Sequence, residues 1–279
     1  MPRRVLRLTV KFPFFVLAML LAVIWGLVGY FNLKVRQDLE HLVFAQQRSA
    51  VSVIAASIDR ETQLRLRALG ELAKSLSQQR LMGEPARINT FLQDNLAVGT
   101  LFNGGFFVLD HQGVCLADWP HLSGRIGLNV AQYEDFQTVL EHRQPAVNRA
   151  RSGSLSERPL ISMSAPIVDD AQQVVGVLIG LTYLDSDNYL GQTIATYKVE
   201  SGGVLVIDPR AGRFLAATDT GRIFQPIPAA GVNKMHDRYM AGYEGSGIAT
   251  NSRNIEAVSY THLRAHETDS YLVCRLLLE

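Results

Sequence analysis

"GGFFVLDHQGVCLAD", residues 104–118, and "GGVLVIDPRAGRFLAAT", residues 202–218, have one shape. Each runs from two glycines through an apolar stretch to an aspartate, then through a glycine-bearing turn into a second apolar stretch. Gly104 to Asp110 is spaced like Gly202 to Asp208. Runs of Val, Phe, Leu and Ile on either side of a short polar turn predict a β-hairpin in each case, the first around His111-Gln112-Gly113. An offset of about a hundred residues is too long for a solenoid unit, so it predicts two related modules in series.

The flanking segments fill in both modules. "YEDFQTVLEHRQP" (133–145) places Phe136, Val139 and Leu140 on one side of a short helix. "PAVNRA" and "LISMSAPIVDD" are β-rich, "AQQVVGVLIGLTYLD" is an apolar run of strand composition, and the loop "RSGSLSERP" joins two of these strands. After the second hairpin come a helical piece, "VNKMHDRYMAGY", and a strand start, "GSGIATNSRNIE". The expected class is α+β, with antiparallel sheets.

Upstream the period changes to that of a helix. Ile54, Ile58, Leu66, Leu69, Ala73 and Leu76 recur at helical spacing, with Arg60, Glu61, Arg65 and Lys74 on other faces. No proline falls between Lys34 and Gly83, so 34–84 is expected to be one long stalk helix. Strict heptads are not sustained; a homodimer paired along this stalk is an expectation beside the simpler packing of the helix on its own domain.

Before the stalk, "FPFFVLAMLLAVIWGLVGYFNL" runs from Phe12 to Leu33 without a charge, enough to cross a hydrocarbon core of about 30 Å. Trp25 and Tyr30 lie towards its outer end, where amphipathic rings favour headgroups. A cleaved signal peptide would have a shorter apolar core and a small-x-small cleavage site, which "WGLVGYFNLKVRQ" does not offer. Residues 12–33 therefore read as a retained anchor. Arg3, Arg4, Arg7 and Lys11 keep the tail 1–11 in the cytoplasm and send the rest of the chain outward. The chain is 279 residues long and 47% hydrophobic, enough for a substantial core, and its net charge of +1 is dispersed, which argues against nucleic acid as a partner. Of two cysteines, Cys115 between Val114 and Leu116 reads as a small buried strand residue.

An anchor, a long helix and two modules carrying "GGFFVLDHQG", "APIVDDAQQVVGVLIG" and "GGVLVIDPRAGRFLAAT" resemble the double Cache domain of bacterial transmembrane receptors, over about residues 34–256. The resemblance implies PAS-like modules: a membrane-distal one at 85–195, which in the family usually holds the ligand, and a membrane-proximal one at 196–257 that stops early. It implies a periplasmic sensor on the bacterial inner membrane, feeding a cytoplasmic output domain: a diguanylate cyclase first, a histidine kinase or chemoreceptor next.

A pocket of this kind gathers a few polar groups over an apolar cavity. Candidates are Tyr133 and Phe136 on the short helix, Arg149 and Arg151 near a strand end, Arg158 in the loop, Ser162 and Ser164 alternating on the next strand, and Tyr183 on the last. Arginine offers a planar fork suited to a carboxylate. The amino-acid-binding version of the family carries Arg-x-Trp on the helix and an aspartate on the final strand. Here those positions hold Tyr133, Asp135 and Leu181, so an α-amino group lacks its counter-charge. The expected ligand is an organic acid or another small solute rather than an amino acid.

Catalysis finds little support. There is no GxSxG, HExxH or Walker loop, "GYEGSG" (242–247) precedes a strand, and His111, His121, His142 and His236 are scattered. No cofactor or metal is expected. A membrane-anchored periplasmic enzyme and a ligand-free dimerising stalk are the rival classes.

The tail is out of pattern. "VSYTHLRAHET" (258–268) places His262 and His266 one helical turn apart, as a metal pair would be. Yet Val258–Glu267 looks like the translated read-through of a transposon-end sequencing adapter, and "LVCRLLLE" (272–279) like the translation of the adjoining flow-cell adapter in the same frame. Residues 258–279 are therefore expected to be adapter-derived and to stay outside the second module's sheet. Sequencing the source DNA across the codon for Glu256, with primers free of adapter, is expected to show the frame leaving this sequence. A genomic VSYTHLRAHET followed by a stop would overturn that reading and reopen the metal pair.

Overall fold

The computed structural model describes residues 3–197, 203–241, 243, 245–250, 256–265 and 271–277; the side chains of 3–14, 36–48, 134–135, 235–236 and everything from 244 on lie outside that description. The chain divides into two units, Met1–Gln47 and Arg48–Glu279. Helix α1 (Arg3–Gln78) supplies the whole of the first unit's described structure. Within it Phe15–Val35 is long and apolar enough to cross a membrane, and none of that stretch is buried. The apolar stretch expected to span the membrane at 12–33 is helical. The side chains of Arg3, Arg4, Arg7 and Lys11, on which the orientation rests, lie outside the described residues.

In the second unit α1 buries one stripe: Val51, Ile54, Ala55, Ile58, Leu66, Leu69, Leu72, Ala73 and Leu76. Steps of three and four residues keep these on one face. The helix closes at Gln78, with Arg80 left-handed (φ 52°) and Gly83 at φ 100°. Pro85, whose fixed φ suits a first helical turn, opens α2 (Pro85–Asp94), and the single turn α3 (Leu96–Gly99) follows.

The first sheet is built from β1 (Phe106–Asp110), β2 (Cys115–Trp119), β3 (Ala146–Val147), β4 (Arg151–Ser152), β5 (Pro159–Val168) and β6 (Val174–Tyr183), with α4 (Glu134–His142) between β2 and β3. Its order is β2-β1-β6-β5-β3, β4 also pairing with β5, and every pairing is antiparallel. The period of two divides its residues cleanly. Phe106, Val108, Ile161, Met163 and Leu178 share a cluster with the α1 stripe. Phe107, Leu109, Leu160, Val177, Ile179, Leu181 and Tyr183 form a second cluster with Phe136 and Val139 of α4. Both faces are covered, which is why β5 and β6 read as apolar runs rather than alternating ones.

Helix α5 (Tyr189–Thr196), capped by the Asn188 carboxamide oxygen accepting from the Leu190 and Gly191 amides, leads to the second module. The Tyr189 hydroxyl meets Thr62 at 3.2 Å, and Arg65 lies 4.0 Å over its ring, so α5 is held against α1. The second sheet comprises β7 (Gly203–Asp208), β8 (Arg213–Ala217), β9 (Gly245–Thr250), β10 (Glu256–Ala265) and β11 (Tyr271–Leu277), in the order β8-β7-β11-β10-β9, with α6 (Lys234–Met240) before β9. Each sheet therefore has its hairpin at one edge, its last strand beside its first, and the intervening strands beyond. The two hairpin turns are alike as well: Gly113 and Gly212 both take positive φ, 81° and 61°. The shared topology extends the sequence duplication to the whole module.

One expectation is corrected. Residues 258–265 and 271–277 do not stay outside the second sheet: β10 pairs with β9, and β11 pairs with β7, placing Val273 opposite Ile207 and Leu276 opposite Val204. The reason is compositional. "VSYTHL" and "LVCRLLL" are rich in β-branched, aromatic and aliphatic residues, and β7 without β11 would present an open edge. Strand pairing responds to side chains and free edges, whatever encoded them.

Cys115 is buried, as its neighbours imply, and burial, with the Asp118 charge second, pushes its thiol up to about 12. The thiolate is the nucleophile, so Cys115 is expected to resist an aromatic disulfide reagent in the folded chain and to react in denaturant. Peptide mapping, which separates it from Cys274, checks this; rapid native labelling of Cys115 would refute it.

Candidate ligand site

On the α4 side of the first sheet lies a small cavity that opens to solvent. Its floor is sheet: Phe107 of β1, Leu160 of β5, and Leu181 and Tyr183 of β6. One wall is the segment after β2, contributing Leu122, Arg125, Leu128 and Val130. The rim is Arg151 of β4 with Gly153, Ser154, Leu155 and Ser156 of the following loop. Alternation along the strands delivers the apolar floor, while loops flanking short strands deliver the polar groups.

The charge balance is one-sided. Arg125 is buried at 5% exposure, 5.4 Å from the Phe107 ring centroid. Its opposite charge is Asp118, but the separation of 3.6 Å is too long for a hydrogen bond. Asp118 is occupied elsewhere, accepting from the Leu122 amide at 2.8 Å and meeting His121 Nδ1 at 2.9 Å. Arg151 lies 4.2 Å over the Tyr133 ring, and its buried Nε has no hydrogen-bond partner among the described residues. Among the described residues no carboxylate lines the cavity. An unpaired buried guanidinium nitrogen is costly unless something else accepts from it.

The residues singled out from the sequence fall into three positions. Arg151 and Tyr183 line the cavity. Tyr133 and Arg158 stand one layer back. Tyr133, at the N-terminus of α4, supports Arg151 and bonds Ser154 Oγ at 2.7 Å. Arg158 stacks on Tyr183 at 3.9 Å and grips Asp185 with Nη2 at 2.6 Å and Nε at 3.0 Å. Phe136, Arg149, Ser162 and Ser164 are not on the cavity wall. Phe136 is core beneath α4, and Arg149 is exposed. Ser162 and Ser164 are buried and spend their hydroxyls on Asn148, at 3.0 and 3.1 Å. Polar alternation on β5 thus served to seat Asn148, a partner that no local pattern announces.

Arg125, Ser154 and Ser156 were not anticipated. The signal for Arg125 was its setting in "SGRIGL": Gly124 and Gly127, both at positive φ, wrap the chain around it. A second, larger crevice lies between α5 and β8. Its most polar members are already engaged, Asp185 with Arg158 and Asn188 with the α5 cap.

No protein-family model matches the chain, and no curated protein matches it. Solved structures do. The ligand-binding domain of the Pseudomonas aeruginosa amino acid chemoreceptor PctB, in complex with L-arginine, is similar at TM-score 0.68 and 12% identity, over 85% of this chain and 95% of that one. The corresponding domain of PctC from the same organism, in complex with GABA, matches at TM-score 0.63 and 16% identity, over 85% of this chain and 99% of that one. An extracellular ligand-binding receptor from Desulfohalobium retbaense matches at TM-score 0.66 and 16% identity, over 82% of this chain but only 39% of its own. At these identities the likeness establishes the fold: a helix-plus-antiparallel-sheet architecture shared with chemoreceptor sensor domains.

The Arg158–Asp185 pair carries a pH dependence. Hydrogen bonding to Arg158 holds the Asp185 carboxyl below its usual range. Its stabilisation is therefore complete above the ordinary carboxylate range and is lost as pH falls through the lowered value. Both side chains are more than a third exposed (39% and 38%), so solvent screening limits the effect to about 1 kcal/mol or less. Asp185→Asn is expected to lower Tm slightly at neutral pH and to converge with the parent in acid; a difference that persists unchanged in acid would refute it.

Proposed function

We propose that this chain is the extracytoplasmic ligand-sensing region of a bacterial membrane-anchored signal-transduction receptor, built as a double Cache pair, whose cavity takes a small organic acid. One observation carries the reading: the described lining of the cavity includes two arginines, one with an unsatisfied buried Nε, and no carboxylate. A carboxylate answers both arginines, whereas an amino acid also brings an ammonium to a wall where Leu181 stands. The similar solved domains support the sensing role; several are in complex with amino acids, which marks an amino acid as the second choice.

The apolar stretch Phe15–Val35 fits a single-pass anchor in the inner membrane, with the second unit outside. A homodimer is proposed through the face of α1 that exposes Val53 and Leu64. The output domain is proposed to be a diguanylate cyclase, with a histidine kinase or a chemoreceptor as the alternative; a membrane-anchored periplasmic enzyme ranks below both. Residues 258–279 are proposed to be adapter-encoded on the strength of their amino-acid match to the translated adapter, in which case native strands occupy the β10 and β11 positions in the natural protein.

The test is a thermal-shift panel on the detergent-solubilised chain, with C2–C6 mono- and dicarboxylates beside the amino acids. A ligand at a hundred times its Kd is expected to raise Tm by about 5–10 °C. Arg151→Ala should weaken that ligand about 10- to 100-fold, the worth of a charge-assisted hydrogen bond, with Arg151→Lys intermediate. Shifts from amino acids alone would favour the second choice, and turnover of any panel member would favour the enzyme.

A further inference from the structure

The repeated aspartate at the end of the first strand of each hairpin does different work in the two modules. In the first module Asp110 Oδ1 accepts from the Gln112 and Val114 amides, both at 2.9 Å, and so closes its own turn. In the second module Asp208 Oδ1 closes the equivalent turn, accepting from the Arg210 and Ala211 amides at 2.9 and 3.1 Å. Its other oxygen, Oδ2, reaches into the first module and accepts from the Ala150 amide at 2.8 Å. Beside it Arg210 Nη2 donates to the Val147 carbonyl at 3.1 Å.

The segment so gripped is the one that presents Arg151. Val147 ends β3, Arg151 begins β4, and Ala150 lies buried between them. Asp208 is itself 1% exposed, so this is a desolvated charge-assisted hydrogen bond. Val147 and Ala150 also belong to the same apolar cluster as Val204 and Val206 of β7.

We infer that Asp208 is a positioning residue for Arg151: the segment that brings Arg151 to the cavity is held by a group from the second module, and the Arg151–Ala150–Asp208 sequence of contacts couples the cavity to the second module. The functional weight of this coupling rests on the sensing role proposed above, but its existence is read on the ligand-free protein.

Asp208→Asn separates the two jobs of the side chain. The amide oxygen still closes the turn, while the NH₂ sets a donor against the Ala150 N–H. Asp110→Asn is the internal control, since it alters the equivalent turn without touching the cavity segment. The full chain in detergent, labelled with ¹⁵N at alanine and arginine, gives two readouts: hydrogen exchange at the Ala150 amide and the resonance of Arg151 Nε–H. Asp208→Asn is expected to speed Ala150 exchange by about 10-fold or more and to move the Arg151 signal, with neither change in Asp110→Asn. A general loss of stability would lower Tm without moving the Arg151 resonance of the folded chain.

Unchanged Ala150 exchange overturns the inference, as does an Arg151 signal that stays put or moves equally in the control. If Asp208→Asn does not fold, Arg210→Met keeps the stem and removes only the bond to Val147; it should move both signals in the same direction by less, and no movement overturns the inference. Because no ligand enters the experiment, failure of the carboxylate panel and failure of this contact are separate results.

Discussion

The stripe of α1 from Val51 to Leu76 is the surface on which the second unit is assembled. A five- or six-stranded antiparallel sheet with apolar residues on both faces needs a cover on each, and strands alone cannot supply it. Here α1 shares one cluster with the first sheet's Phe106, Val108, Met163 and Leu178, and that cluster continues into Val204, Val206 and Leu215 of the second hairpin. The other face of the first sheet is left to α4 and to loops. Loops cover less completely than a helix, and the cavity sits where their cover is incomplete.

That division also separates rigidity from chemistry. The helix-facing side is mainly apolar and closely packed, to the point that a Cβ on Gly180 would stand 2.6 Å from the Phe102 ring. The loop-facing side collects Arg125, Arg151, Ser154, Ser156 and Tyr183. Two guanidinium groups on a partly desolvated wall are unfavourable by themselves, and the surroundings only partly offset them: Asp118 stands near Arg125, and the Tyr133 ring lies under Arg151. In the function proposed above, an anionic ligand answers the remaining imbalance.

The duplication gave both modules the same strand order and the same aspartate, and position then differentiated the copies. Asp110 sits at a hairpin tip with one oxygen in use, whereas Asp208 is buried against the first module and uses both. Function in a duplicated fold is divided by what each copy happens to face.

Much of this was legible in the sequence, and the boundary has a physical cause. The apolar N-terminal helix, the buried stripe of α1, the paired hairpins and the α+β class all follow from local periodicity, which a linear sequence records directly. Arg151 and Tyr183, singled out near a strand end and on the last strand, do line the cavity. Arg125 was not legible, because it belongs to a glycine-turned loop whose path no period fixes; nor was the use of Ser162 and Ser164 by Asn148, or the pairing of β10 and β11 into the second sheet. The sequence by itself determined which segments are helix or strand and which of their faces must be dry. Only the tertiary structure decided which polar groups meet, since those meetings join residues distant in the chain and depend on where folded faces come to lie.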